Sequence, residues 1–151
     1  MSDTAGDVFV SWRGGRQYEV SREGVPPITI DGNRTTGPGP VEALLGSLAS
    51  CSAIDVVEYL DKRRTPVRSL EVRISAVRAP VPPRRVLSAS LDFTIDGDGI
   101  DRDHAERSIA LAFRTYCSVA ATLAADVTVS TRLTLNGVAG TSVPHPLRQG
   151  A

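Results

Sequence analysis

The stretch that most constrains the fold is VEALLGSLASCSAIDVVEYLDKRR, residues 41–64. Apolar residues recur in it at spacings of three and four, Pro40 suits the first helical position, and Pro66 prevents continuation. It therefore predicts one long helix that ends near Arg64. Between Ala43 and Ile54 the stretch carries no charged residue. A helix without a polar face is buried on nearly every side, and a chain of 151 residues can hardly surround it alone, so a partner subunit is implied.

Short runs of β-prone residues flank this helix on both sides. They cover residues 8–12, 16–20, 28–30, 69–78, 86–95 and 127–135. Gly14-Gly15, between the first two runs, is typical of a tight hairpin, and the fourth and fifth runs alternate apolar and polar side chains as a half-buried hairpin does. A second helix is expected from Asp101 to about Tyr116, followed by a short helix from a Ser118 cap through Ala125.

The resulting order of elements is β-β-β-α-β-β-α-β. Because the strands are joined by hairpins rather than by crossovers, this order predicts an α+β fold with antiparallel sheets. We expect a single domain over residues 1–138 and a mobile C-terminal tail over residues 139–151, which holds two prolines and few apolar residues.

Charge and hydropathy exclude several classes of partner. The formal net charge is zero, and the longest charge run, Asp61–Arg64, is too short to form the basic stripe that a nucleic-acid backbone requires. No apolar stretch approaches the roughly 18 residues of a membrane helix, and the first residues lack the basic and apolar regions of a signal peptide. We therefore expect a cytoplasmic protein that binds neither nucleic acid nor a membrane.

The two histidines do not combine with the two cysteines into a metal site. His104 lies in an acidic helix start and His145 lies between prolines near the C-terminus. Neither stands at the short spacings that zinc ligands show, so we interpret them as a helix-surface residue and a tail residue. No metal is expected.

The two cysteines have both a packing and a chemical interpretation. A cysteine on an apolar helix is most often a small hydrophobe, and that alternative stays open for Cys51. In a reducing compartment, however, two cysteines are more typical of catalytic or redox-sensing thiols than of a permanent disulfide. Cys117 ends the second helix, and Arg13, Arg16 and Arg34 lie upstream. Only a thiolate attacks a peroxide oxygen, and an arginine is a cation that can stabilise it.

The segments GPGPVEALLGSLASCSAIDVVEYLDKRR and YCSVAATL resemble the two cysteine segments of the OsmC/Ohr family. The first is nearest the branch whose helix reads Cys-x-Ala-Ile-Asp-Val-Val. With VSWRGG near the start, the likeness extends from about Val8 to Leu135. The resemblance implies an OsmC-like fold, an intertwined homodimer in which the two long helices of each subunit pack centrally between β-sheets. It also implies two active sites at the subunit interface.

The activity that the resemblance implies is that of a thiol-dependent peroxidase in oxidative or osmotic stress defence. An organic hydroperoxide would oxidise Cys51 to a sulfenic acid, and Cys117 would condense with it to form a disulfide. A dithiol reductant, lipoyl-type or other, would then reduce that disulfide. No cofactor is needed, because the sulfur itself takes the oxidation.

The same family uses an arginine and a glutamate to hold the thiolate and orient the peroxide. Its glutamate stands one position after a proline and ten before the cysteine, but here that slot holds Val41, and Glu42 stands nine before Cys51. One position turns a helix by about 100°, so Glu42 points elsewhere unless it precedes the regular helix. Arg34 fits the loop placement of OsmC-type members and Arg16 the placement of Ohr members, and we favour Arg34.

Two further alternatives follow from the residues around the cysteine. Asp55, four positions after Cys51, shares its helix face and is a buried acid, an interface hydrogen-bonding group or a charge that opposes thiolate formation; we favour a structural role. The alternative function is a non-enzymatic or redox-sensing dimeric module that binds a small apolar ligand, because a fold does not confer the chemistry of its relatives.

Overall fold

The computed structural model describes residues 5–147. These residues form two units, one that ends at Leu44 and one that begins at Leu45. The predicted single domain over residues 1–138 therefore corresponds to two units, and the boundary between them falls inside the long helix.

The N-terminal unit is built on an antiparallel sheet with the strand order β1 (Phe9–Gly14), β2 (Gln17–Arg22) and β3 (Val25–Asp31). Gly14 and Gly15 have φ angles of 108° and 54°, which glycine adopts without strain, so the predicted hairpin forms there. Strand β3 starts three residues before the predicted run, at Val25, although two prolines follow. An edge strand tolerates prolines because their missing N–H groups have no neighbour to pair with.

The long helix α1 spans Pro40–Lys62, as the sequence predicts. Arg64 adopts a positive φ of 60°, which ends the helical path before Pro66. Within the described chain α1 buries one side, which carries Leu48, Ala49, Ser52, Val56 and Leu60, while Ile54 and Val57 are exposed. The helix is thus not buried on nearly every side by this chain alone, and the partner subunit stays a prediction.

Helix α1 is also long and apolar enough to cross a membrane, by length and composition alone. An 18-residue window in it has a mean hydropathy of 1.4, although serines and a glycine interrupt the apolar run. The window averages over these small residues, so the helix meets the criterion although the sequence alone predicts no apolar stretch of that length; one such helix is weak evidence of a membrane span. The core helix of a soluble protein passes the same criterion.

The C-terminal unit contains a four-stranded sheet with the order β4 (Ser69–Arg78), β5 (Val86–Asp96), β6 (Thr128–Leu135) and β7 (Val138–His145). Strands β4 and β5 form the predicted antiparallel hairpin, with Ile74 opposite Leu91. Strands β5 and β6 are parallel, which differs from the expected hairpin connections. The chain between them crosses over through helices, and a parallel pair requires such a connection. The predicted α+β class with antiparallel sheets is otherwise confirmed.

Strand β7 corrects the predicted mobile tail over residues 139–151. Asn136 and Gly137 both have positive φ, 48° and 80°, as in the tight hairpin turns that Asn-Gly favours. The turn returns the chain as β7, which pairs antiparallel with β6. The tail prediction is therefore wrong for residues 139–145, and residues 148–151 lie outside the described part of the chain.

The crossover between β5 and β6 consists of α2 (Arg102–Leu111), a π-helical turn (Ala112–Tyr116) and α3 (Ser118–Thr122). Asp101 caps α2 by accepting a hydrogen bond from the backbone N–H of His104 at 3.2 Å. The cap of α3 is Cys117 rather than the predicted Ser118, and α3 ends at Thr122 rather than Ala125. Leu91, Phe93 and Ile95 of β5 are fully buried and form the centre of this unit's core.

Candidate functional site

The two cysteines lie side by side in the C-terminal unit. Cys51 is half-buried on α1, and Cys117, at the start of α3, is 3% exposed. Both are free thiols, and their side chains lie near enough for Cys51 to raise the pKa of Cys117. The structure therefore brings together the two sulfur atoms that the sequence separates by 66 positions.

The π-helical turn fixes the position of Cys117. The backbone N–H of Cys117 donates to the carbonyl of Ala112 at 2.8 Å, five residues earlier, which closes the wider ring of a π-helix. After this turn the chain leaves helical geometry at Cys117, whose φ and ψ are −68° and 102°. The sulfur then accepts a hydrogen bond from the backbone N–H of Ala120 at 3.4 Å.

Burial raises the pKa of the Cys117 thiol to about 12. The backbone N–H of Ala120 opposes this rise, and the neighbouring Cys51 side chain adds to it. Cys117 is therefore a protonated thiol at neutral pH. A protonated thiol is a weak nucleophile, so of the two cysteines Cys117 is the one less suited to the first attack on a substrate.

Arg34 and Glu42 form a second cluster, in the N-terminal unit. The Arg34 Nε lies 2.6 Å from Oε1 of Glu42, and the backbone N–H of Gly39 donates to Oε2 at 2.7 Å. A Cβ atom at Gly39 would stand 3.3 Å from that Oε2 and 3.4 Å from the Arg34 Nε, so glycine leaves the pair undisturbed. The structure thus joins the favoured arginine to the candidate glutamate through a charge-assisted hydrogen bond.

Glu42 lies inside the first turn of α1, because Pro40 is the first helical residue. The backbone N–H of Ala43 already donates to the carbonyl of Gly39 at 2.9 Å. Position 42 therefore already has regular helical geometry. A glutamate at position 42 points about 100° away from the direction that a side chain at position 41 would take.

Asp31 organises the loop that carries Arg34, a role that the sequence did not reveal. Its side chain is fully buried, and its carboxylate accepts hydrogen bonds from the backbone N–H groups of Asn33, Thr35 and Thr36 and from both threonine hydroxyls. The Thr35 hydroxyl, followed by the Asn33 N–H, holds the pKa of Asp31 far below its usual range. The sequence feature that could have indicated this role is the Asp-Gly-Asn run, residues 31–33. An aspartate at such a turn often accepts hydrogen bonds from backbone N–H groups that follow it in the chain.

Arg16 is not part of either cluster. Its exposed side chain lies against Gly32, where a Cβ would come within 2.8 Å of the Arg16 Nε. Arg13, the other upstream candidate, pairs with Glu19 at 2.6 Å. Among the three candidate arginines, the structure therefore places only Arg34 beside Glu42.

Asp55 lies one helical turn after Cys51 and is half-buried. Its Oδ2 atom is buried and has no hydrogen-bond partner within residues 5–147. Burial, and then the charge of Glu58, raise the pKa of this carboxyl group.

The two histidines have different environments. His104 is half-buried, with its Nε2 at 2.7 Å from a guanidinium nitrogen of Arg63. His145 is a buried strand residue rather than a tail residue: it bonds the Thr131 hydroxyl at 2.7 Å and stacks on Phe113. In the described part of the chain, no group of three or more His, Cys, Asp or Glu residues is placed to hold a metal ion.

Comparisons with known proteins agree with this architecture. A family model described as OsmC-like protein matches residues 31–132. Protein YhfA of Escherichia coli strain K12 is 32% identical over 122 residues, which cover 80% of this chain and 91% of that protein.

Two solved structures show the same fold. The OsmC-like protein from Mycoplasma pneumoniae superposes with a TM-score of 0.75 at 16% identity, over 89% of this chain and 99% of that one. The organic hydroperoxide resistance protein OhrB of Bacillus subtilis superposes with a TM-score of 0.54 at 18% identity, over 86% and 98%.

Proposed function

Because the chain belongs to the family of OsmC-like proteins, we propose that it is a thiol-dependent peroxidase that reduces organic hydroperoxides in oxidative or osmotic stress defence. The observation that carries the proposal is the proximity of the two free thiols, Cys51 and Cys117, whose side chains interact. A pair of neighbouring cysteines can cycle between a sulfenic acid and a disulfide without a cofactor.

In the proposed reaction Cys51 is the nucleophile. Its thiolate attacks the terminal oxygen of the hydroperoxide, a sulfur–oxygen bond forms, and the oxygen–oxygen bond breaks. The alkoxide takes a proton from water and leaves as an alcohol. The sulfur of Cys117 then displaces hydroxide from the sulfenic acid, water leaves, and the disulfide is reduced by an external dithiol of lipoyl or other type.

The burial of Cys117 supports this division of roles. A thiol whose pKa is raised to about 12 is protected from reagents in solution but stands close to the sulfur that it must attack. Because the two sulfur atoms are held in one protein, the effective concentration of Cys117 at the Cys51 sulfenic acid is high, and this compensates for the small fraction of Cys117 that is a thiolate. The half-buried Cys51 is the more accessible of the two sulfur atoms.

Arg34 and Glu42 are proposed as the activating pair. In the homodimer, the Arg34 guanidinium supplies the permanent cation that a Cys51 thiolate needs, and Glu42 holds that guanidinium in place through the 2.6 Å contact. Arg16, which lies against Gly32, is the weaker candidate for the same role.

The homodimer and a cytoplasmic location are part of the same proposal. Large apolar side chains are exposed on the β1–β3 sheet and on α1: Phe9, Val10, Trp12, Ile28, Ile54 and Val57. Exposed apolar surface of this kind marks interaction sites in soluble proteins. A partner subunit that covers α1 also accounts for its apolar composition without a membrane.

The test is a thiol titration of the reduced protein after one equivalent of cumene hydroperoxide. We expect rapid loss of both thiols in the wild type, and a sulfenic acid on residue 51 in the Cys117→Ser variant. Cys51→Ser is the matched control and should keep its remaining thiol. Thiols that persist for many minutes in the wild type would contradict the proposal.

The helical position of Glu42 favours a second candidate function. A glutamate turned away from the family's direction suits a dimeric module that binds a small apolar ligand and whose cysteines are structural or only redox-sensing. Persistent thiols in the titration, together with saturable binding of an apolar fluorescent probe, would favour this candidate.

A further inference from the structure

A cleft of about 280 Å³ lies between helix α2 and strands β6 and β7. Its apolar wall consists of Ile109 of α2, Leu133 of β6 and Val143 of β7. Val143 stands opposite Thr131 in the sheet, and alternate residues of a strand point to the same face, so Thr131 and His145 belong to the same wall. A cavity of about 150 Å³ holds a benzene ring. This cleft therefore has room for a ring with a short polar chain.

One polar side chain in this wall is nearly enclosed and has an atom without a partner. His145 is 6% exposed, its ring stacks on Phe113, and its Nε2 atom lies 2.7 Å from the Thr131 hydroxyl. The other ring nitrogen, Nδ1, has no hydrogen-bond partner within residues 5–147. In that range Asp55 Oδ2 is the only fully enclosed side-chain oxygen or nitrogen that lacks a partner, so Nδ1 keeps accessible surface. Because His145 lines the cleft, a molecule in the cleft can reach this nitrogen.

The Thr131 hydroxyl determines which ring nitrogen of His145 carries the proton. Thr131 is buried, and in the described part of the chain its side chain has no hydrogen bond besides the one with Nε2. A buried hydroxyl proton needs an acceptor, so the hydroxyl donates and Nε2 accepts. Burial lowers the pKa of His145, so the ring is neutral at pH 7 and its one proton is on Nδ1. Nδ1 is thus a donor that lacks an acceptor.

The mouth of the cleft carries a positive charge. Arg107 is exposed on α2 and lines the cleft. Glu106 also lines the cleft, but its carboxylate is paired with Arg102 at 3.2 Å. Two arginines and one glutamate leave this group with a net charge of +1, so its field attracts anions.

An anion with an apolar body suits all three features of the cleft. The apolar wall favours a hydrocarbon part, the Nδ1–H group needs an acceptor, and Arg107 favours a negative charge. One N–H donor and one guanidinium match a carboxylate, whereas a phosphate dianion needs more donors to offset the loss of its hydration. We propose that this cleft binds a small carboxylate with an aryl or alkyl body, whose oxygen atoms accept a hydrogen bond from His145 Nδ1–H and face Arg107.

The proposed carboxylate site is separate from the thiol pair. Among the described residues, neither Cys51 nor Cys117 lines the cleft, so binding there does not depend on the peroxidase reaction. The stack on Phe113 and the bond to Thr131 hold the imidazole in place before a ligand arrives, which reduces the entropic cost of binding.

The test is a titration of the reduced full-length protein with 3-phenylpropionate, followed by NMR of the methyl groups. We expect saturable shifts at Ile109, Leu133 and Val143, with a dissociation constant in the millimolar range or below. The matched control ligand is 3-phenylpropanamide, which has nearly the same shape and no charge. It should bind at least about tenfold more weakly, because hydrogen bonds to charged groups are the stronger ones.

Three variants separate the proposed contacts. His145→Phe keeps a ring beside Phe113 and removes the N–H donor, and it should weaken binding of the acid by about tenfold to a hundredfold. Arg107→Gln removes an exposed charge and should weaken binding by about twofold to fivefold. Arg73→Gln, at an exposed position of β4 outside the cleft, is the matched control and should leave the affinity unchanged. The amide comparison and Arg107→Gln decide the matter if His145→Phe does not fold.

Four outcomes would overturn the proposal. Equal affinities for the acid and the amide would show that the cleft accepts apolar molecules without recognising their charge. Shifts confined to methyl groups outside the cleft, or no saturable shift up to about 20 mM acid, would show that there is no site here. An equal loss in Arg107→Gln and Arg73→Gln would reduce the effect to non-specific attraction. Unchanged binding in a folded His145→Phe variant would refute the role of Nδ1. Each of these results leaves the thiol titration, and with it the proposed function, to be judged separately.

Discussion

The buried environment of Cys117 predicts a large difference in alkylation between the folded and the unfolded protein. With a pKa of about 12, about one Cys117 in ten thousand is a thiolate at pH 8, compared with about a quarter for a thiol of ordinary pKa near 8.5. The thiolate fraction is thus lowered by a factor of roughly 2,000. A thiolate of higher pKa is intrinsically more nucleophilic, and with a Brønsted coefficient near 0.45 this recovers a factor of about 40.

The net expectation is that iodoacetamide alkylates folded Cys117 roughly fiftyfold more slowly than an ordinary thiol at pH 8. Its 3% exposure slows the reaction further. The assay is site-resolved mass spectrometry of the reduced wild type between pH 7 and pH 11, with the same protein in urea as the reference. The rate at Cys117 in the folded protein should rise about tenfold for each pH unit across this range.

A different profile would refute the assignment of a buried, protonated thiol. If the rate at folded Cys117 reached a plateau near pH 9, its pKa would be that of an exposed thiol and the proposed protection of the resolving cysteine would fail. Equal rates in the folded and the urea-treated protein would lead to the same conclusion.

Three further predictions concern the remaining polar groups. Glu42→Ala should slow the oxidation of Cys51 by cumene hydroperoxide by about tenfold or more, because Arg34 loses the contact that holds it. Arg16→Ala is the matched control, and an equal loss of rate in both variants would contradict the proposed pairing of Arg34 with Glu42. Asp31→Asn should lower the melting temperature, because five hydrogen bonds converge on its carboxylate. Because the pKa of Asp31 is lowered, its carboxylate stabilises the fold above the ordinary carboxyl value near pH 4, and this stabilisation is lost as the pH falls. The difference in melting temperature between the wild type and Asp31→Asn should therefore become smaller at acidic pH. Burial lowers the pKa of His145, so its contribution to stability is present above the ordinary histidine value near pH 6.5 and is lost as the pH falls below it. In His145→Gln the melting temperature should therefore depend less on pH between pH 7 and pH 5. A melting temperature that falls as steeply with pH as in the wild type would contradict the shift.

The elements with a strong repeating pattern were predicted closely. Strand β4 spans Ser69–Arg78, the residues predicted, because a half-buried strand alternates with a period of two and a one-residue slip would expose its apolar face. Helix α1 was also predicted from its pattern, because its apolar residues recur at spacings of three and four. Strand β7 was missed although the Asn136-Gly137 hairpin signal stood before it, because Pro144 argued against a strand and an edge strand tolerates proline.

The arrangement of the site was less accessible from the sequence. The two cysteines were selected as a pair by resemblance, but their proximity depends on the π-helical turn Ala112–Tyr116, for which no local sequence rule exists. The role of Asp31 depends on five donors that converge only after the loop has closed. Local patterns decide where elements form, whereas these contacts depend on how separate segments meet.

The displaced glutamate has a defined task within the proposed peroxidase. The resemblance assigns the glutamate a share in orienting the peroxide, but here Glu42 lies inside regular helix one position late and binds Arg34 and the Gly39 N–H. These contacts predict that Glu42 acts through Arg34 and not on the substrate directly. The double variant Arg34→Ala/Glu42→Ala tests this: losses that multiply would show a separate task for Glu42, and a double variant no slower than Arg34→Ala alone would show that the two residues serve one task.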